Sequence, residues 1–70
     1  MAKALPFSNA ILELRKEKKI TQQELADAIG MTRQTIVAIE KGKYSPSLEA
    51  AFKISHVLGV GITDVFVWTD

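Results

Sequence analysis

Two helix-start signals, Thr21 and Thr32, stand close together with Gly30 between them, and little but a pair of short crossed helices satisfies all three. Thr21-Gln22-Gln23-Glu24 has the form of a capping box: the Thr hydroxyl accepts from the third-residue amide, and the Glu reaches back to the cap amide. A helix begun there runs to Ile29. Gly30 follows where a chain leaving a helix needs a left-handed conformation, which glycine adopts without strain. Thr32 then caps another helix to about Lys41. In it Ile36 and Ile39 point one way, leaving Arg33, Gln34, Val37, Ala38 and Lys41 on the other faces.

The flanks read as helical too. Ser8 or Asn9 can cap a first helix to about Lys18, with Ile11 and Leu14 inward and Glu13, Lys16 and Glu17 outward. Leu12 falls off that inward stripe. After Gly42, either Ser45 or Ser47 can cap a fourth helix, whose inward stripe reads Leu48, Ala51, Phe52, Ser55 and Leu58 before Gly59 ends it. A short fifth helix is expected at about 62 to 66. The β-branched and aromatic run Val65 to Trp68 favours extended chain, as does Ala4 to Phe7, and the two could pair as a small antiparallel ribbon. Such a ribbon is marginal unless it packs on something.

Composition narrows the class. Seventy residues cannot feed two separate cores, so residues 1–70 are expected to form one domain. Hydrophobic residues make up 47% of the chain with only two prolines, which supports a packed core and argues against disorder. With no cysteine there is neither disulfide nor thiolate metal site, so helix packing must supply the stability, helped by a second subunit. His56 is the only histidine and has no metal-ligand spacing around it, so no metal or cofactor is expected. No nucleophile elbow, Gly-rich phosphate loop or convergent carboxylate pair appears, and the chain does not read as an enzyme. No apolar run approaches the ~18 residues of a membrane span, and no signal peptide is evident, so a cytoplasmic, DNA-associated location is expected. The net charge is only +1, yet residues 1 to 43 hold eight Lys or Arg against five Asp or Glu. Residues 44 to 70 hold one against three. A basic half is consistent with one face meeting phosphate, as it is with an ordinary solvated surface.

A helix of about eight residues, a three-residue turn containing Gly and a second helix that starts with polar residues is the plan of a helix-turn-helix, here Gln22 to Ile39 within 22–41. Ala26 is small where the helices must cross, and Ile36 and Ile39 clamp the second helix. The stretch LRKEKKITQQELADAIGMTRQTIVAIEKGKYSPSLEAAFKISHVLGV closely resembles the phage-repressor and Cro-type helix-turn-helix family, the XRE family, with the resembling segment running from Ile11 to Phe66. The resemblance implies an all-α, five-helix lambda-repressor-like bundle that binds operator DNA as a dimer. It places Thr32, Arg33, Gln34 and Ala38 at base-reading positions. Arg can fork onto the O6 and N7 of guanine and Gln onto the N6 and N7 of adenine.

Gln22 matches the family's phosphate clamp, with Thr21 and Gln23 beside it, at a helix start that favours anions. Thr35, Lys41, Lys43 and Tyr44 match positions flanking the DNA backbone, although Lys43 also reads as a surface lysine and Tyr44 as a packed aromatic. Arg15 and Glu40 match a structural pair that joins the first helix to the end of the recognition helix. Gly61 stands where the family often has a capping Ser or Thr, leaving Asp64 to support the fifth helix. The function this implies is a sequence-specific transcriptional regulator, more often a repressor, binding an inverted repeat in double-stranded DNA as a homodimer. Leu5, Phe7, Leu12, Val65, Val67 and Trp68 are the candidate dimer surface, unless they close the monomer's own core. The alternative is an antitoxin or protein-binding module that neutralises a partner and uses its helix-turn-helix only to autoregulate.

Overall fold

The computed structural model describes residues 5–69. In chain order these form β1 (Phe7–Asn9), α1 (Ile11–Lys18), α2 (Gln22–Ile29), α3 (Arg33–Glu40), α4 (Leu48–Leu58), α5 (Ile62–Val65) and β2 (Phe66–Trp68). Five helices and a small ribbon match the expected architecture.

Each helix boundary has a local cause. Thr21 closes the capping box in full: its Oγ accepts from the Glu24 amide at 3.0 Å and its own amide donates to Glu24 Oε1 at 2.9 Å. Gly30 ends α2 at φ +72°, and a Cβ there would meet nothing within 4 Å. Backbone conformation alone therefore demands the glycine. Thr32 caps α3 through the Thr35 amide at 3.3 Å, and Ser47, not Ser45, caps α4 through the Ala50 amide at 3.1 Å. Gly61 has no side chain to offer, but its amide donates to Asp64 Oδ2 at 3.0 Å, so α5 keeps half of a capping arrangement.

The core is built by Ile11 of α1, Leu25, Ala26 and Ile29 of α2, Ile36 and Ile39 of α3, Ile54 and Leu58 of α4, and Val65 of α5. Ala26 is wholly buried in α2, which packs against both α3 and α4. A methyl group there keeps the packed helices close. The α4 stripe departs from expectation at two positions. Ala50 and Ile54 turn inward with Ala51, Ser55 and Leu58, while Leu48 and Phe52 are 70% and 56% exposed. Helical phase explains it: once Ala51, Ile54, Ser55 and Leu58 set the buried line, Leu48 and Phe52 lie about 100° from its centre. The buried Ser55 hydroxyl is satisfied by the Ala51 carbonyl at 2.9 Å.

The ribbon lies two residues further along at its first strand than Ala4 to Phe7 suggests, and Ala4 itself is outside the described residues. Phe7 pairs with Trp68, Ser8 with Val67 and Asn9 with Phe66, antiparallel. The ladder continues through Thr69 N–H to the Pro6 carbonyl and Ala10 N–H to the Val65 carbonyl, both at 2.8 Å. Because Ser8 and Asn9 are spent on this strand, neither takes the cap position of α1, which falls to Ala10. Asn9 still serves that helix, its Oδ1 accepting from the Ile11 amide at 3.2 Å. Phe7 and Phe66 meet edge to face, centroids 6.0 Å apart, on the side of the ribbon that faces the helices. Val65 belongs to the monomer's own core and is 0% exposed, which removes it from the candidate dimer surface.

Candidate nucleic-acid interface

The geometry of α3 is fixed from three sides. Ile36 and Ile39 anchor its inner face. At its C-terminal end the Asn9 side chain, reaching from β1, donates to the Ile39 carbonyl at 3.0 Å. Beside that, Glu40 is held in a fork by Arg15 of α1: Nε to Oε2 at 2.6 Å and Nη2 to Oε1 at 3.2 Å. The two side chains are only 9% and 8% exposed. Arg15 completes its donors with the Ile20 carbonyl at 2.9 Å, and the Gln22 amide adds a bond to Glu40 Oε1 at 3.0 Å. The expected Arg15–Glu40 pair is thus a four-residue junction tying α1, the α1–α2 turn, the start of α2 and the end of α3.

This junction changes what Gln22 is. Sequence reasoning placed it as an anion clamp, but one of its two amide hydrogens is committed to Glu40, so its side chain is pre-oriented with the other donor and its carbonyl available. Gln23 is tied along its own helix, donating to Asp27 Oδ1 at 2.8 Å. The Thr32 and Thr35 hydroxyls are bonded to each other at 3.0 Å while Thr32 also caps the helix. Of the four expected base-reading residues, Arg33 and Gln34 are therefore the ones left exposed with no side-chain hydrogen bond among the described residues. Ala38, one turn on, is half-buried.

Arg33, Thr21, Gln22 and Gln23 come together on the wall of one open concavity of about 540 Å³. Two residues that sequence reasoning passed over, Lys16 and Lys19, line it as well. The available signal was the Lys-Lys pair just before the Thr21 cap, where α1 must end. Lys41, Lys43 and Tyr44 do not join this group. They follow the other end of α3, roughly 12 Å along its axis from Arg33 at ~1.5 Å per residue, and all three are exposed. Tyr44, at 49% exposure, is not a packed aromatic.

Arg33 and Gln34 at the free start of a helix, with phosphate-compatible groups before and after it, suit a duplex lying across α3: base edges at its start, backbone on either side. No helix among the described residues is long and apolar enough to cross a membrane.

Comparison with known proteins agrees with this geometry. The chain is 50% identical over 64 residues to an uncharacterized HTH-type transcriptional regulator of Methanocaldococcus jannaschii, covering 91% of this chain and 97% of that one. It is 41% identical over 59 residues to the cryptic phage CTXphi transcriptional repressor RstR of Vibrio cholerae, covering 84% of this chain and 53% of the repressor. Among solved structures, the clp gene regulator ClgR of Corynebacterium glutamicum superposes with a TM-score of 0.74 at 28% identity, over 77% of this chain and 57% of that one. Residues 11–65 match the helix-turn-helix family, so α1 through α5 all fall within the match. The chain belongs to that family, in its phage-repressor and Cro-like XRE branch.

Proposed function

We propose that the protein is a sequence-specific DNA-binding transcriptional regulator, acting as a repressor on an inverted-repeat operator and binding it as a homodimer. The observation that carries the reading is the contrast within α3. Its far end is locked by Asn9, Arg15 and Gln22, while Arg33 and Gln34 at its start are exposed and unengaged among the described residues. A rigid helix with free forked donors at one end is what direct readout in a major groove requires. Arg33 and Gln34 read bases; Thr32 and Ala38 shape the contact. Gln22, Thr21, Gln23, Thr35, Lys41, Lys43 and Tyr44 hold the backbone.

The homodimer part rests on an apolar region between the ribbon and the start of α4. Phe7, Pro46, Leu48, Ile62, Phe66 and Trp68 line a concavity of about 410 Å³ there. Leu48 and Trp68 are exposed at its rim, and Val67 is 50% exposed on the opposite side of β2. Exposed apolar clusters of this kind mark interaction surfaces. A second copy seated there would present two α3 helices to successive major grooves about 34 Å apart. Leu5 and Leu12 complete the candidate surface.

Binding to the DNA upstream of the protein's own gene, measured with Arg33→Ala and Gln34→Ala, tests the reading. Both changes are expected to relax base preference, by ~1–3 kcal/mol of lost discrimination at the affected base pair. If Arg33→Ala left preference among operator variants intact, the recognition assignment would be wrong. A monomeric mass by light scattering at tens of micromolar would remove the dimer.

A further inference from the structure

We propose that Lys16 and Lys19 form a backbone grip through which the end of α1 holds duplex phosphates beside the segment read by α3. The inference rests on the DNA-binding reading and extends the contact surface to a helix which that reading leaves out.

Three cations, Lys16, Lys19 and Arg33, line the 540 Å³ concavity at the junction of α1, α2 and α3. The Glu40 carboxylate nearby is already neutralised by Arg15. Among the described residues, no carboxylate pairs with any of the three. Like charges gathered around one hollow without a counter-charge repel each other, and an anion seated among them relieves this. Lys18, between the two, turns elsewhere and lies against Gly59, so the grouping is selective.

Lys19 adds a second, independent observation. It ends α1 at φ +58°, the one non-glycine residue with positive φ among the described residues, whereas α2 and α4 end on Gly30 and Gly59 in the same conformation. A side chain at a left-handed position carries a conformational cost that glycine would avoid. What the lysine brings for that cost is a cation at the rim of the hollow.

The shape selects the occupant. The hollow is open, and its lysines are exposed, so a single small anion would keep most of its water and bind weakly. A duplex presents a negative charge about every 1.7 Å along its axis and releases condensed counterions when lysines replace them. Arg33 sits on the opposite wall, so a duplex placed with its base edges at the start of α3 carries its backbone past the end of α1.

The test measures binding of the full chain to its own upstream duplex over a range of salt, for the unaltered protein, Lys16→Gln, Lys19→Gly and Arg33→Ala. Each lysine change is expected to flatten the slope of log K against log salt by about 0.9 and to weaken binding roughly five- to tenfold near 0.1 M salt, equally on all sequences. Lys19→Gly should at the same time raise the urea midpoint, since it removes the strained position; a lost grip caused by misfolding would lower it. Unchanged slopes in both lysine variants, with the unaltered protein binding normally, would overturn the grip alone. A loss of base preference matching that of Arg33→Ala would overturn it too. Absence of any binding by the unaltered protein would remove the DNA-binding reading and the grip with it.

Discussion

The Arg15–Glu40 junction makes the sharpest quantitative prediction. Replacing Arg15 by Met strands a carboxylate that is 8% exposed and leaves it only the Gln22 amide. Replacing Glu40 by Leu strands a guanidinium whose remaining partner is the Ile20 carbonyl. Removing one member of a buried pair costs about 3–5 kcal/mol, because the survivor keeps its desolvation penalty and loses its compensation. A chain of this length is expected to have only ~4–10 kcal/mol of total stability. Each single variant should therefore lose a third of its stability or more. At ~4–8 °C per kcal/mol for a domain of this size, the melting temperature should fall by at least 12 °C. The double variant Arg15→Met/Glu40→Leu removes both charges and replaces them with apolar groups, so it should return to within about 1 kcal/mol of the parent. Urea unfolding of all four proteins closes the cycle, with a constant m-value as the check that the unfolded state has not changed. If both single changes cost less than about 1 kcal/mol, or if their costs simply added in the double variant, the junction would not be the coupled buried unit described here.

Other expectations are smaller and separable. Gly30→Ala should cost about 1 kcal/mol by urea unfolding, from backbone conformation alone, since a methyl at that site touches nothing. Thr21→Ala, which removes one arm of a complete capping box, should cost ~0.5–2 kcal/mol, with the loss in hydrogen-exchange protection concentrated in the first turn of α2. Asn9→Ala removes bonds to both the Ile11 amide and the Ile39 carbonyl, and should destabilise by ~1–3 kcal/mol while leaving phosphate contacts, and so the salt slope, unaltered. Trp68→Lys places a charge on the exposed apolar rim and should shift the protein from dimer to monomer in light scattering without loss of helical circular dichroism.

The parts of this fold legible in the sequence are those governed by local chemistry. The Thr21 box, the Gly30 turn and the Thr32 cap each need only four or five consecutive residues, and α2 and α3 begin and end where those signals stand. Helix phase was harder. α4 is apolar around most of its circumference, with Leu48, Phe52, Ile54, Val57 and Leu58 all plausible inward residues, and only packing against α2, α5 and α1 decided among them. Asn9 shows another kind of loss. Its residue type suits a helix cap, but pairing with Phe66, 57 positions away, made it a strand residue whose amide reaches a different helix. Lys16 and Lys19 looked like an ordinary solvated face, because nothing local tells a lysine that Arg33 stands across a groove from it.

The same limit explains why the net charge of +1 misrepresented the interface. Net charge counts carboxylates and cations equally, wherever they stand, whereas a duplex responds to the local field. Here several carboxylates are occupied by the fold itself. Glu40 is paired with Arg15, Glu49 with Lys53, and Glu24, Asp27 and Asp64 accept from Thr21, Gln23 and Gly61. Glu24 and Asp64 also stand in the first turns of α2 and α5, where helix dipoles partly offset them. The cations beside the start of α3 have no such engagement among the described residues. A weakly charged chain can thus present a concentrated positive rim, and the salt dependence of its binding should follow the number of lysines on that rim, not the charge of the molecule.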